Sequence, residues 1–219
     1  MFISYQEFED NLRRVQASIL SAEAKSGRPV GSVTLLPVTK NLPVDAALYA
    51  FRSGLRSVGE NRVQEALSKI DDADSALSWE LIGPLQSNKA KKVAERFDRV
   101  QSVDRPKVAK ALQRYASEAG RNLRVLLQIN AGADPNKSGA SLEEASALME
   151  CAMEQPNLKV DGLMTIAPLD DELAVAHLCF AALRNCRDGL EASFGVPLPE
   201  LSMGMSGDME AAIQEGSTM

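Results

Sequence analysis

Lys40 is the first residue in this chain from which chemistry is expected. It closes the apolar, β-branched run Val33-Thr34-Leu35-Leu36-Pro37-Val38-Thr39-Lys40, bounded by Gly31 and Asn41, which reads as a buried strand. An ammonium at the end of such a strand is costly to bury unless it is paired or neutral. Burial lowers a lysine's pKa, and the neutral amine is a nucleophile toward aldehydes. This stretch therefore suggests a lysine that holds a carbonyl compound as a Schiff base; the plainer alternative is a side chain reaching out to water.

The second constellation is Met203-Gly204-Met205-Ser206-Gly207-Asp208. Two glycines flank a serine where a strand turns into a helix. Glycines let backbone amides approach a ligand, and a helix start offers free N–H groups to an anion such as a phosphate. Ser206 either caps that helix or donates its hydroxyl to the anion. Asp208 and Glu210 suit the helix dipole but would repel a close anion, so they are expected to point away. Three lysines follow Gln86-Ser87-Asn88, at Lys89, Lys91 and Lys92, and Lys137-Ser138-Gly139 is a further candidate for anion contact; a solvated basic face is the simpler account of both. The single histidine, His177, lies in an apolar helical run and reads as structural, and one histidine argues against a multi-histidine metal site. Cys151, Cys179 and Cys186 form no close pair and suit a reducing compartment.

The elements that must position these residues alternate regularly. Ser4-Tyr5-Gln6-Glu7 is a capping box, and Phe8, Leu12, Val15 and Ile19 make one apolar helical stripe that Gly27 and Pro29 end. Strands are expected at 33–40, 55–58, 79–82, 99–103, 123–130, 158–166 and 200–203. Helices are expected from Pro43 to Gly54, near 64–70, from Ser87 to about Phe97, from Pro106 to Gly120, after the second capping box Ser141-Leu142-Glu143-Glu144, over 170–194 with a break near Gly189, and over 207–215. Trp79 is expected in the core. Seven strand–helix alternations with short loops predict an α/β fold, a TIM (β/α)8-type barrel in a single domain over residues 1–219, with the eighth strand starting at Ser217-Thr218-Met219 and truncated there. Active sites of such barrels lie at the C-terminal strand ends, here Lys40, Gly59-Glu60-Asn61, Gly83-Pro84-Leu85-Gln86, Asp104, Asn130, Met164–Pro168 and Gly204–Gly207.

Size and composition set the remaining bounds. The chain has 219 residues, 45% hydrophobic and 25% charged, with a formal charge of −6, which fits a soluble globular protein and argues against wholesale nucleic-acid binding. No apolar run approaches the roughly 20 residues of a membrane span. Met1-Phe2-Ile3-Ser4 shows no signal-peptide pattern, so a cytoplasmic location is expected.

Taken together these residues resemble the pyridoxal phosphate homeostasis protein family, also called the proline-synthase co-transcribed family. The resemblance runs through Val38-Thr39-Lys40, Gly59-Glu60-Asn61 with Val63-Gln64-Glu65, Ile82-Gly83-Pro84-Leu85-Gln86-Ser87-Asn88-Lys89, Ser102-Val103-Asp104, Lys137-Ser138-Gly139, Gly162-Leu163-Met164 and Leu201–Ser206. It implies a barrel like the N-terminal domain of alanine racemase. It also implies pyridoxal 5′-phosphate (PLP) as cofactor, held as a Schiff base on Lys40 with its phosphate near Ser206. Lys40, Asn61, Met164, Gly204, Met205, Ser206 and Gly207 are then the cofactor-binding candidates, and no catalytic or metal-ligating residue is implied. Such proteins are thought to bind, buffer or deliver PLP rather than turn a substrate over; the implied partners are PLP and PLP-dependent apo-enzymes, and a monomer is expected. The chain departs from the family at Glu80, where a histidine is usual, at Val58, Arg62 and Leu42, and in the Val-Arg-Ile-Gly segment that follows Met219 in relatives. Two other chemistries fit the same lysine: a PLP-dependent amino-acid racemase or lyase of fold type III, and a PLP-free barrel aldolase acting on a sugar phosphate.

Overall fold

Ser4 and Glu7 start the first helix as the capping box requires. Ser4 Oγ accepts the Glu7 N–H at 3.3 Å and Glu7 Oε2 accepts the Ser4 N–H at 2.8 Å, which opens α1 (Tyr5–Lys25). The structure is a computed structural model that describes residues 3–169 and 172–219. After α1 come α2 (Val44–Arg52), β1 (Ser57–Glu60), α3 (Val63–Ile70), β2 (Ser78–Leu81), a 3-10 turn at Ser87–Lys89, α4 (Ala90–Arg96), β3 (Arg99–Val103), α5 (Pro106–Glu118), β4 (Leu123–Gln128), α6 (Ala145–Met153), β5 (Leu158–Met164), α7 (Leu173–Phe194), β6 (Glu200–Ser202) and α8 (Met209–Gln214). The six strands form one parallel sheet in the order β1-β2-β3-β4-β5-β6, as helical crossovers between consecutive strands dictate.

Residues of the strands alternate between two environments. Val58, Val100, Val125, Leu127 and Leu163 pack against the helices, together with Ala47, Leu112, Met149, Phe180 and Leu183. Trp79 belongs to this core and is 2% exposed. The other face carries polar side chains. Arg99 donates Nε to Glu80 Oε2 at 2.7 Å and Nη2 to Oε1 at 2.8 Å, and Gln101 Nε2 donates to Glu80 Oε2 at 2.6 Å. Burial works against the Arg99 charge, but the two bonds it donates to Glu80 prevail and its pKa lies above the ordinary value. Gln101 in turn accepts from Ser202 Oγ at 2.6 Å, and Arg99 lies 3.4 Å from Glu200. These bonds join β3 to β6 past two intervening strands, so the sheet curls around this face.

The expected first strand is the main correction. Residues 33–40 form no strand ladder, only an isolated bridge between Val38 and Gly59. Gly59 N–H donates to Pro37 O at 2.9 Å, and Thr39 N–H donates to Gly59 O at 3.0 Å. On the other side Thr34 N–H reaches Thr218 O at 2.8 Å. Thr218 N–H donates to Leu201 O at 2.9 Å, so residues 217–219 lie between β6 and Thr34. Pro37 brings no donor, and beyond Thr34 the side away from β1 faces an open cavity rather than another strand. Val38 is accordingly 41% exposed. The seven expected strands are therefore six among the described residues.

The buried Glu23 and the half-buried Arg28 tie this segment down. Glu23 accepts from Gly31 N–H at 3.1 Å, Ser32 Oγ at 3.1 Å and Val33 N–H at 2.9 Å. Arg28 Nη1 donates to Ile213 O at 2.9 Å and Ser217 O at 2.7 Å. Helix α7 runs unbroken through Gly189, contrary to the expected break, because Leu183 and Leu190 continue one buried face across it. The expected start of that helix at Asp170 falls outside the described residues. The second capping box exists, with Glu144 Oε2 accepting Ser141 N–H at 2.9 Å. His177 is structural as expected, 3.1 Å from Glu215, and no disulfide joins the three cysteines. Among the described residues no helix is long and apolar enough to cross a membrane.

Candidate functional site

Lys40 lies where the chain leaves β1's side and turns away. Residues 36–38 and Lys40 line the cavity, whereas Thr39 is 2% exposed and bonds to Glu60 on the helix side. Asn41 follows with φ 60°, a left-handed conformation that asparagine tolerates better than most residues. The turn is at the surface, and Lys40 is exposed rather than buried. The burial cost argued from the sequence is thus not incurred, because the residues after it, 41–43, are also exposed and leave the amine at the cavity rim.

The cavity has a volume of about 750 Å³. Lys40, Asn61, Met164, Gly204, Met205 and Ser206 all line it, Met164 from the strand that pairs with Ser202. Six of the seven candidate cofactor contacts are therefore brought to one space; Gly207 lies just beyond its lining. The spacing of these groups follows from glycines. At Gly59 a Cβ would stand 3.3 Å from both Leu36 Cδ2 and Ile82 Cδ1, so any side chain would push into the cavity wall. At Gly83 a Cβ would meet Asn61 O at 2.1 Å, so only glycine lets the chain pass over Asn61.

The Gly204–Asp208 turn differs from expectation in one respect. Gly204 has φ 97° and a Cβ there would lie 2.5 Å from Ala212 Cβ, as a glycine-dependent turn requires. Glu210 points away, paired with Lys25 at 2.7 Å. Asp208 does not: its Oδ1 accepts the Met205 N–H. One of the amides expected to face an anion is thus held by the chain's own carboxylate.

Sequence reasoning missed the polar floor. Gln101 and Ser202 line the cavity, and their mutual bond leaves the Gln101 amide oriented by Glu80. The signal was available in period-two spacing, since Arg99 and Gln101 share a strand face. The basic candidates stay apart from this space: Lys91 and Lys92 are exposed on α4, and neither Lys89 nor Lys137 lines the cavity. No cluster of metal-ligating side chains occurs among the described residues.

A parallel sheet curled about a polar face, with a lysine and a glycine-flanked serine turn across one cavity, defines an alanine-racemase-like α/β domain. The alanine racemase N-terminal domain family matches residues 3–219, and an alanine racemase from Clostridium difficile shares the fold with a TM-score of 0.73 at 13% identity, covering 89% of this chain and 51% of that one. The chain belongs to the pyridoxal phosphate homeostasis protein family. It is 43% identical over 210 residues to the pyridoxal phosphate homeostasis protein of Pseudomonas aeruginosa, covering 95% of this chain and 90% of the relative, and 38% identical to that of Escherichia coli, covering 95% and 91%. Among solved structures, PipY of Synechococcus elongatus with PLP bound is similar with a TM-score of 0.78 at 38% identity, covering 91% of this chain and 95% of that one.

Proposed function

We propose that this chain binds PLP in the 750 Å³ cavity and serves vitamin B6 homeostasis in the cytoplasm as a binder rather than an enzyme. The observation that carries the reading is that Lys40 and the Gly204–Ser206 turn share one space. The residues present fit the group. The volume lies within the roughly 300–1,000 Å³ of ordinary cofactor pockets. The amine of Lys40 would hold the aldehyde carbon, the Ser206 hydroxyl and the backbone amides of 204–207 that Asp208 leaves free would hold the phosphate, and Asn61 and Met164 line the same space. When bound, PLP supplies an electrophilic aldehyde and an electron-withdrawing ring; orientation and proton handling fall to the chain. Of the titratable side chains lining the cavity, Asp208 is engaged with the Met205 amide and Arg14 with Asn11. Among the described residues no phenol or imidazole lines the cavity, and its carboxylate, Asp208, already accepts a backbone amide, which supports a binder over a racemase or lyase.

The curled sheet is read as one (β/α)8-type barrel domain over residues 1–219, with 33–40 as its first strand and 217–219 as the start of its eighth. The bonds from Thr34 N–H to Thr218 O, from Gly59 N–H to Pro37 O and from Thr39 N–H to Gly59 O support this. PLP-dependent apo-enzymes are the partners such a binder would serve, acting as a monomer. The test is borohydride reduction of the purified protein with PLP, followed by peptide mass analysis. A pyridoxyl adduct on Lys40 and a visible band that vanishes in Lys40→Ala are expected. A colourless protein in excess PLP, an adduct of equal yield in Lys40→Ala, or alanine racemisation above the Lys40→Ala control would overturn the reading.

A further inference from the structure

The backbone on both sides of Lys40 is held from the helix layer, by groups that do not line the cavity. Lys69 on α3 is 5% exposed. Its Nζ donates to Thr39 O at 2.8 Å, to Glu60 Oε1 at 2.8 Å and to Glu65 Oε1 at 2.9 Å, which uses all three ammonium protons. Glu60 Oε1 also accepts from Thr39 Oγ1 at 2.6 Å, and Glu65 Oε1 accepts the Asn41 N–H. Burial alone would raise the Glu65 carboxyl, but the bonds from Lys69 and from Asn41 N–H outweigh it and its pKa lies below the ordinary value. The carbonyl before Lys40, the hydroxyl before it and the amide after it therefore all end on one ion cluster.

Stability does not account for this cluster. Apolar side chains of similar volume would serve the packing between β1 and α3 as well or better than a buried lysine with carboxylates. Glu60 is fully buried, and its Oε2 has no hydrogen-bond partner, a cost that packing leaves unrecovered. What the cluster gives is direction. It pins Thr39 outward and holds Asn41 in its left-handed turn, so the residue between them must face the cavity.

We propose that Lys69, with Glu60 and Glu65, positions Lys40: the cluster fixes the two peptide units that flank it and so presents its amine toward the Gly204–Ser206 turn. The role of the presented amine rests on the PLP reading above; the hold on the backbone does not. The clamp therefore has its own measurement, amide exchange at Asn41 in the cofactor-free protein. In Glu65→Ala, which removes the acceptor of the Asn41 N–H at a side chain that is not fully buried, that amide is expected to exchange about tenfold faster, as loss of one charge-assisted bond implies. PLP affinity is expected to fall about tenfold, and the yield of borohydride-trapped Lys40 adduct to fall with it. Lys69→Met should do both more strongly and shift the pH midpoint of the visible band, and Lys69→Arg should restore part of each. Folded Glu65→Ala with wild-type exchange at Asn41, or with wild-type PLP affinity and adduct yield, overturns the proposal while leaving the Lys40 reading intact. If Lys69→Met does not fold, Glu65→Ala decides alone. Wild-type protein that forms no adduct removes the Lys40 reading and with it the presented amine, whereas the exchange rates still report whether the clamp exists.

Discussion

Replacing Glu80 by leucine isolates the energetics of the curled face. Three donors converge on this carboxylate: Arg99 Nε at 2.7 Å, Arg99 Nη2 at 2.8 Å and Gln101 Nε2 at 2.6 Å. Glu80→Leu leaves a guanidinium that is 3% exposed, with Glu200 still beside it at 3.4 Å. Removing one partner of such a pair costs about 3–5 kcal/mol. For a chain of this size each kcal/mol moves Tm by about 2–4 °C, so a fall of about 6–20 °C is expected. Because total stability is about 5–15 kcal/mol, much of it is at stake. The double variant Glu80→Leu/Arg99→Met replaces both charges by apolar groups and should recover most of the loss, with a coupling energy of about 2 kcal/mol or more. Thermal and urea unfolding followed by circular dichroism measure all four corners of the cycle. A Glu80→Leu protein that melts within about 1 °C of wild type, or a double variant whose loss is the plain sum of the two, would refute the reasoning.

Two further outcomes follow from particular residues. Gly189→Ala should raise stability by about 0.5–1 kcal/mol, since α7 is helical there and an added Cβ meets nothing within 4 Å; a loss in urea unfolding would contradict the unbroken helix. Stability should also fall in acid. Burial raises the Glu215 carboxyl, but the bonds from His177 and Arg184 overcome this and leave its pKa lowered, and Glu65 is lowered likewise. A carboxyl lowered in the folded state adds stability that is complete above its unfolded value, about 4.3, and lost as pH falls through the folded value. Tm should therefore hold from neutral pH to about 5 and drop below it, less steeply in Glu215→Gln.

Much of this fold could be read from local chemistry. The limits of β3, Arg99–Val103, and the start of α5 at Pro106 fall where the β-branched run and the proline put them. Lys40 and the Ser206 turn, which line one cavity, stand out in sequence as a lysine after an apolar run and glycines around a serine. The misses share one cause, which is that partners distant in sequence decide them. Residues 33–40 have strand composition, but a ladder needs consecutive pairings, and theirs come down to isolated contacts with Gly59 and Thr218. Glu80 was visible as a departure, whereas Arg99, 19 residues on, could not be named as its partner. Lys69 reads as one more helix lysine until the topology sets it against Thr39, 30 residues back. Asp208 is expected on electrostatic grounds to turn outward, but it accepts the backbone amide of Met205, three residues away.

The bonds of Arg28 to Ile213 and Ser217 bridge 185 and 189 residues of chain, while each strand of the sheet pairs with the one next in sequence. Neighbouring strands can therefore assemble progressively, each closing a modest loop, and Arg28 meets residues 213 and 217 only when the strands between them are in place. Interactions made so late are absent from the folding transition state, so they slow unfolding rather than speed folding. Arg28 is expected to behave as a latch on the finished molecule: Arg28→Met should shorten the lifetime of the native state more than it slows folding.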